Sequence, residues 1–243
     1  MIGRARWLVG VLTLSALLPV AAPAATITGV VVTGDSNPNL AGRPSGATCC
    51  SGDSAPTHSP VEVLGLAYNS GDILTFSATG QVSHTGSATP GNIPDGSGIF
   101  SMTDYDGGIA PALGVNLNAL VGVFLGSSEP SGTGPTSITF SGGVGLDFTS
   151  LSPEVGQIFF IGDGLTGNLT GAIQEFEVPD GATRLFLGTT DGFGWFNNSG
   201  QFVVTINGPG DDQPPSGVPH PASLLLVGLG LVVGLTRRVL ASA

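Results

Sequence analysis

The sequence predicts an all-β fold, a two-sheet antiparallel β-sandwich of the jelly-roll kind, on three observations. Gly and Pro supply 40 and 18 of the 243 residues, so turn-forming residues recur along the whole chain. Between them lie short apolar runs, several of which alternate apolar and polar residues with the period of two that strands show. Charged residues make up only 9%, too few for the polar faces of a helical bundle. Many short strands divided by Gly and Pro favour a sandwich.

The predicted strands follow one another from the start of the mature chain. The first covers residues 26–32, whose β-branched Thr, Ile and Val favour strand structure. Residues 33–60, rich in Gly, Ser, Pro and Asp, are predicted to form a long polar loop. The further predicted strands are Val61–Leu66, Ile73–Gly80, Ala119–Leu125, Ser137–Phe140, Gln157–Ile161, Ala172–Val178, Arg184–Gly188 and Gln201–Ile206. The alternation predicts buried side chains at Leu74, Phe76 and Ala78 and at Phe202, Val204 and Ile206.

The N-terminus has the three parts of a secretory signal peptide. Arg4 and Arg6 precede an apolar run from Trp7 to Val20, and residues 22–24 form a small-x-small cleavage site. We therefore expect a signal helix over residues 1–24 that signal peptidase removes after Ala24. The alternative is a retained membrane anchor, which the shortness of the apolar run disfavours.

The C-terminus has the pattern of a second targeting signal. Pro219, His220 and Pro221 precede an apolar stretch from Ala222 to Leu235, and Arg237 and Arg238 follow it. As a helix, residues 222–236 would reach only ~22 Å, short of a ~30 Å hydrocarbon layer. The paired arginines would stay on the cytoplasmic side of such a short transmembrane helix.

This tail, residues 218–243, resembles the PEP-CTERM sorting signal of exported bacterial proteins. The resemblance implies transient inner-membrane insertion, cleavage by an exosortase, and final display at the cell surface or in the extracellular matrix. His220 departs from the family, which usually has Glu at that position. A plain C-terminal tail anchor is the alternative. The predicted organisation is then a signal peptide (1–24), a β-sandwich domain (25–206), a Pro/Gly-rich linker (207–217) and the sorting signal.

The charge balance is strongly acidic and excludes a nucleic-acid partner. The whole chain has a formal charge of −11. Residues 25–217 keep two arginines against 17 acidic residues, which gives −15. Such a surface repels phosphate backbones and is compatible with divalent cations and neutral ligands.

The two cysteines, Cys49 and Cys50, are adjacent in the chain. In an oxidising compartment they could form a vicinal disulfide, make intermolecular bridges, or remain as two loop thiols. Adjacent cysteines without nearby partners do not build a tetrahedral zinc site.

The most informative segment for function is the loop between the last two predicted strands. It contains Asp191, Asn197 and Asn198, with glycines at 192, 194 and 200. Calcium prefers six to eight hard oxygen ligands drawn from carboxylates, amides and backbone carbonyls. The loop could supply three side-chain ligands, although the same residues also occur in ordinary turns.

This segment resembles the C-terminal part of the galactophilic calcium-dependent lectins of bacteria, which are small jelly-roll β-sandwiches. The matching residues are Thr190-Asp191, Asn197-Asn198-Ser199-Gly200 and Phe202. Residues 67–80 resemble the family's Tyr-Asn-x-Gly-Asp strand start, and residues 118–122 its Gly-Ala-Leu-Val strand. The resemblance covers roughly residues 61–206, in three islands.

The resemblance implies a calcium cofactor and a glycan partner. Asp191, Asn197 and Asn198 would be calcium ligands, together with a backbone carbonyl near His84, and the hydroxyls of a sugar would complete the coordination. Asp95 lies in the stretch that answers loosely to the family's sugar-contacting loop. The loop after Asp191 is one residue shorter than in the family and lacks its hydroxyl-bearing residue, so galactose specificity does not follow.

Trp195 and Phe196 could stack on the apolar face of a sugar or could equally pack at the sandwich edge, and core or edge packing is the favoured role for Phe196. The motifs of common hydrolases and nucleotide-binding enzymes are absent, and we expect no enzymatic activity. Two functions stay open: a calcium-dependent glycan-binding module, and a non-binding structural protein of a biofilm or surface matrix.

Overall fold

The computed structural model describes residues 25–86, 91–100, 102 and 107–209, and this part of the chain is mostly β-structure arranged in several antiparallel sheets. In the described ranges, helical structure is limited to short turns. The strands are β1 (Thr26–Thr33), β2 (Thr48–Cys49), β3 (Asp53–Ser54), β4 (Val61–Glu62), β5 (Ile73–Ser83), β6 (Ser97–Phe100), β7 (Val115–Leu117), β8 (Leu120–Leu125), β9 (Ser150–Leu151), β10 (Ile158–Phe160), β11 (Leu165–Gly167), β12 (Thr170–Ile173), β13 (Glu175–Glu177), β14 (Arg184–Thr189) and β15 (Ser199–Asn207).

Two larger sheets carry the architecture. One has five strands in the order β1-β15-β5-β13-β9, and the other has four in the order β10-β8-β14-β4. All pairs in them are antiparallel except β13 with β9, which run parallel, so the prediction of purely antiparallel sheets was wrong at this edge. Three two-stranded ladders, β2-β3, β6-β7 and β11-β12, complete the described part.

Aromatic side chains join the two larger sheets. The rings of Phe176 on β13 and Phe159 on β10 have centroids 5.5 Å apart. Phe159 also stacks on Phe124 of β8 at 5.3 Å, and Phe176 meets Phe76 of β5 edge-on at 5.0 Å. Burying each such ring contributes about 1.5–3 kcal/mol to folding. One apolar core therefore lies between the two sheets.

The predicted alternation is confirmed in the two longest strands of the core. Leu74, Phe76 and Ala78 on β5 are buried, as are Phe202, Val204 and Ile206 on β15. The strand predicted over Ala172–Val178 divides into β12 and β13, which belong to different sheets. Gln174 lies between them, and its side-chain amide donates to the carbonyl oxygen of Leu146. The segment Ser137–Phe140 forms no named strand, and a wide turn follows it at Phe140–Val144.

The segment 33–60 was expected to be a long polar loop, and the structure shows short regular elements and buried polar residues within it. It folds into a one-turn 3₁₀ helix (Pro38–Leu40) and the β2–β3 hairpin. Asn37, Asn39 and Asp53 within it are all 0% exposed. Cys49 and Cys50 form a vicinal disulfide at the hairpin, so of the three alternatives the structure has the intramolecular bridge.

The two ends of the described β-structure lie side by side. Thr26 of β1 pairs with Asn207 of β15. Just outside them, the N–H of Gly208 donates to the carbonyl oxygen of Ala25 at 2.8 Å. In the ranges that the structure describes, no helix is long and apolar enough to cross a membrane. The predicted signal peptide, most of the predicted linker and the predicted sorting signal lie outside those ranges.

Candidate functional site

Four strand ends bring the candidate residues to the same end of the two larger sheets. β14 ends at Thr189, and the loop 190–198 leads from it into β15. Ser199 at the start of β15 pairs with Ser83 at the end of β5, and Thr189 pairs with Leu120 at the start of β8. The residues just beyond these ends, His84, Asn118, Asp191 and Asn198, therefore all lie at this end of the sheets.

Asn198 presents a buried oxygen that has no hydrogen-bond partner. Its amide nitrogen donates to the carbonyl oxygen of Gly34 at 3.1 Å, which fixes the orientation of the side chain. The Oδ1 atom on the other side of the amide is buried and unpartnered. Leaving such a group without a partner costs about 1–3 kcal/mol. An amide oxygen is also a hard ligand of the kind that calcium binds.

His84 lies opposite Asn198. In the antiparallel register, the pair next to Ser83 and Ser199 on the outer side is His84 with Asn198. Two residues beyond His84, past the end of β5, the carbonyl oxygen of Asn197 lies 3.3 Å from where a Cβ of Gly86 would be. The backbone after His84 thus runs beside the 197–198 segment.

Asp191 is a buried carboxylate that has no ion-pair partner among the described residues. It is 8% exposed, and its Oδ1 accepts a hydrogen bond from the N–H of Phe193 at 3.1 Å. The ion-pair contacts found within the described residues join Arg43 to Glu129 and His58 to Asp53, and Asp191 takes part in neither. Burying a charge is costly unless a partner compensates it. This carboxylate is therefore suited to accept a cation.

A buried asparagine that carried no sequence-predicted role connects Asp191 to His84. The N–H of Asn118 donates to the carbonyl oxygen of Thr190 at 3.0 Å. Its side-chain Oδ1 lies 2.9 Å from His84 Nδ1 and accepts from the amide nitrogen of Asn92 at 3.1 Å. Asn118 is 0% exposed and has a left-handed φ of 60°. The only sequence signal is its place before the apolar run of β8.

No protein-family model matches this chain, and no curated protein is similar enough to it to count as a match. The resemblance to the lectins therefore stays a prediction. The site has to be judged on its own geometry and chemistry.

The donor set suits a calcium ion that relies mainly on neutral oxygens. It comprises the Asp191 carboxylate, Asn198 Oδ1 and backbone carbonyls near His84, and calcium accepts such mixed oxygen ligands. The side chain of Asn197 is exposed. Within the described ranges there is no group of three or more His, Cys, Asp and Glu side chains that could hold a metal. The candidate set has one carboxylate, so it is of a different kind.

Of the two roles that the sequence left open for Trp195, the structure shows packing. Trp195 is 0% exposed, and its Nε1 donates to the carbonyl oxygen of Thr189 at 2.8 Å. Phe196 is 54% exposed and its ring lies beside Gly194, so it packs at an edge and keeps an exposed face. Phe193, three residues earlier, is 69% exposed. The two phenylalanines, rather than the tryptophan, offer apolar surface to a ligand.

Asp95 is half-buried and lies in a different part of the surface. Its Oδ1 accepts the N–H of Asp163 at 2.8 Å. It lines a cavity of about 130 Å³ with residues of β10 and β11, among them Phe160 and Leu165, and no residue of the 190–198 loop takes part in that lining. The Asp95 side chain therefore faces a separate cavity from the candidate calcium oxygens.

Burial raises the pKa of Asp95 above its ordinary value. The hydrogen bond from the Asp163 N–H acts in the opposite direction, and the nearby Asp163 charge raises the pKa further. The predicted processing residues, Ala24, Pro219, His220, Pro221, Arg237 and Arg238, all lie outside the described residues.

Proposed function

We propose that this protein is an exported surface or matrix protein whose β-sandwich, of the jelly-roll kind, binds glycans with the help of a calcium ion. The observation that carries the proposal is the buried, unpartnered Oδ1 of Asn198 at the sheet end where the Asp191 carboxylate is also buried. An ion between such oxygens would satisfy both groups. The proposal is for a binding protein rather than an enzyme.

The calcium would be held by Asp191, Asn198 and backbone carbonyls near His84. The side-chain amide of Asn197, in the same loop, would be a further ligand. When bound, calcium supplies free coordination positions that neutral hydroxyl groups can take. The exposed rings of Phe193 and Phe196 would pack against the apolar face of a sugar ring. The acidic surface favours a neutral glycan over an anionic one.

Delivery to the surface would use the two terminal addresses. Signal peptidase would cleave after Ala24, and an exosortase would act at Pro219–Pro221 after the tail has entered the inner membrane. This part of the proposal rests on the sequence pattern. A cell surface or extracellular matrix is where a glycan-binding domain meets exopolysaccharide.

The calcium part is tested by the thermal unfolding of the full-length chain, purified under oxidising conditions. We expect calcium at 100 times its Kd to stabilise the folded state by ~2.7 kcal/mol and chelator to abolish the gain. Asp191→Asn should remove the calcium-dependent rise in Tm, because it removes the only side-chain charge of the donor set. Asp180→Asn is the matched control, since Asp180 is exposed and precedes β14 while Asp191 follows it.

Magnesium at equal ionic strength separates specific binding from charge screening. If calcium raises the Tm of wild type and Asp191→Asn equally, the proposed ion site is wrong. A glycan array in calcium and in chelator then tests the sugar. Glycan binding that persists in chelator would contradict a glycan held through calcium. If calcium binds but no glycan on the array does, the calcium ion would serve only to stabilise the fold.

A structural matrix role is the second candidate, and one observation favours it. The loop 190–198 is already held by protein groups: Asp191 bonds Phe193, Asn198 bonds Gly34, and Asp53 bonds the backbone of Trp195 and Phe196. A loop so supported could keep its shape without an ion. No calcium response in wild type would leave this candidate ahead.

A further inference from the structure

Asp53 is a buried carboxylate that organises the candidate loop from a distant part of the chain. It is 0% exposed. Its Oδ2 accepts the N–H of Trp195 at 2.9 Å, and its Oδ1 accepts the N–H of Phe196 at 2.8 Å. The amide of Asn37 also donates to Oδ2 at 3.0 Å. Hydrogen bonds to an ionised acceptor are among the stronger ones in proteins, so Asp53 fixes the turn that leads into Asn197 and Asn198.

Within the part of the chain that the structure describes, no arginine forms an ion pair with Asp53. His58 Nδ1 lies 3.7 Å from Asp53 Oδ1. The same Nδ1 accepts the N–H of Ser54 at 3.1 Å. A nitrogen that accepts a hydrogen bond carries a lone pair there rather than a proton, so this contact is not a salt bridge. The negative charge of Asp53 is balanced by N–H donors, two of them from the loop.

The vicinal disulfide sits at the hairpin that carries Asp53. Cys49 and Asp53 are cross-strand partners in the β2–β3 ladder. The amide of Asn37, which donates to Asp53, also lies 3.6 Å from Cys49 Sγ, and the amide of Asn39 lies 3.8 Å from Cys50 Sγ. The carbonyl oxygen of Cys50 lies 3.5 Å from where a Cβ of Gly194 would be. The disulfide thus contacts Asn37, which donates to Asp53, and the backbone of Cys50 runs close to Gly194 of the loop.

Two residues of the hairpin turn adopt a backbone conformation that they rarely use. Cys50 and Ser51 have φ values of 47° and 57°. Positive φ is uncommon for residues other than glycine, and here the ring closed by the disulfide includes Cys50. Cys49 is buried, whereas Cys50 is partly exposed and Ser51 is exposed. A reductant can therefore reach the bond from the turn.

We propose that Asp53 is the positioning residue of the 190–198 loop and that the Cys49–Cys50 disulfide holds Asp53 in place, so that reduction of this bond weakens ligand binding at the loop. A dithiol reductant would supply two electrons and two protons. The S–S bond would break to give two thiols, and the dithiol would become a disulfide. Cys50 and Ser51 would then relax, and the hairpin would no longer align the Asp53 carboxylate with the N–H groups of Trp195 and Phe196.

The inference rests on the proposed function for its calcium measurement, but a second measurement does not depend on calcium. The chain has two tryptophans, Trp7 and Trp195. In full-length protein carrying Trp7→Phe, acrylamide quenching of fluorescence reports on Trp195 alone. Trp195 is fully buried and its backbone N–H donates to Asp53, so loosening of the loop should increase the quenching.

The first experiment compares oxidised protein, dithiol-treated protein and the Cys49→Ser/Cys50→Ser variant, all in the Trp7→Phe background. We expect reduction to weaken calcium binding about tenfold or more, the range seen when groups that orient metal ligands are lost. Quenching of Trp195 should rise in parallel. The serine variant should match the reduced protein and no longer respond to dithiol. If a thiol titration proves reduction while the calcium Kd and the quenching stay unchanged, the inference is overturned.

The second experiment separates positioning from general stability. Asp53→Asn keeps the shape of the side chain but turns one of the two acceptors into an N–H donor. We expect a weaker calcium affinity in the folded protein and a smaller response to dithiol, since both changes act through the same contact. Asp180→Asn should change neither. A purely structural Asp53 would lower the Tm while leaving the Kd of the folded protein unchanged, which would contradict the inference.

Failure of the proposed function gives a different pattern. Oxidised wild type would then show no calcium binding. An increase in Trp195 quenching on reduction would still support the control of the loop by the disulfide, whereas unchanged quenching would refute it.

Discussion

Asp95 holds its carboxyl group half-buried beside a second acid. Burial is the main cause of its raised pKa, and the charge of Asp163 adds to it. Asp163 itself is 4% exposed, and its carboxylate accepts the N–H groups of Leu165 and Leu169. Keeping the carboxyl groups of Asp95 and Asp163 ionised at the same time therefore costs free energy.

This arrangement predicts how Asp95 changes stability with pH. A carboxyl group with a raised folded-state pKa stabilises the fold below its unfolded pKa, near 3.8, and that contribution is lost as the pH rises through the folded-state value. Asp95→Asn, which keeps an oxygen for the Asp163 N–H, should therefore gain stability relative to wild type between about pH 3 and pH 7. Urea unfolding at several pH values measures the difference. A gap that narrows as the pH rises would contradict the assignment.

Part of the candidate site could be predicted from the sequence, and part could not. Asp191 and Asn198 stand in an Asn- and Gly-rich loop whose composition indicates ligand oxygens, and both lie at the predicted loop. Which of Trp195 and Phe196 turns inward could not be predicted, because a one-turn 3₁₀ segment has no periodicity. Asp53 gave no signal at all: it resembles an ordinary turn residue, and its partners are 142 and 143 positions away.

The β5–β15 pair is the longest ladder of the fold and depends on close approach of its backbones. Gly80 on β5 pairs with Phe202 and has a φ of 109°. A Cβ at Gly80 would overlap the carbonyl oxygen of Gln201. The ladder therefore excludes any larger residue at this point. Gly29 on β1 also has a positive φ, 74°, but a Cβ there would meet nothing within 4 Å.

These two glycines make a matched pair of variants. Both Gly80→Ala and Gly29→Ala place alanine at positive φ, which costs roughly 1–2 kcal/mol. Only Gly80→Ala adds the collision with β15, so we expect it to destabilise by about 3 kcal/mol or more. Chemical denaturation of both variants gives the comparison. Equal losses would show that the backbones of β5 and β15 can separate without cost.

Strand-level prediction succeeded where side chains alternate and failed where they do not. The strands β1, β5, β8, β14 and β15 coincide with apolar or β-branched runs that can be identified in the sequence. The two-residue strands β2 and β3 have no pattern long enough to detect. The segment 33–60 is polar, yet residues 36–41 and Asp53 within it are buried, because Asn37, Asn39 and Asp53 find hydrogen-bond partners inside the protein, which composition cannot indicate.

The whole molecule is acidic and has few internal ion pairs. In the described ranges both arginines donate mainly to backbone carbonyls, Arg43 to Gly107 and Pro130 and Arg184 to Gly126 and Ser128. Arg43 also lies 3.6 Å from Glu129. With a formal charge of −11 on the full chain, repulsion among carboxylates opposes the compact state.

We therefore expect simple salt to stabilise the protein. Raising NaCl from about 0.01 M to about 0.15 M shortens the Debye length from about 30 Å to about 8 Å and screens the repulsion. The Tm should rise, by about 2–4 °C for each 1 kcal/mol gained in a chain of this size. KCl should act like NaCl. A falling Tm would mean that attractive pairs outweigh the repulsion.

The neighbouring ends of the β-structure determine how a tethered copy of the protein would face its surroundings. β15 runs for nine residues from the candidate loop to Asn207, next to the bond between Gly208 and Ala25. At about 3.3 Å per residue the two poles of that strand are about 26 Å apart. A tether attached beyond Gly208 would hold the protein at one end of β15. The loop with the exposed Phe193 and Phe196 lies at the other end and would point away from the tether. Anchorage and recognition would then occupy opposite faces, and a long polymer could reach the loop without meeting the supporting surface.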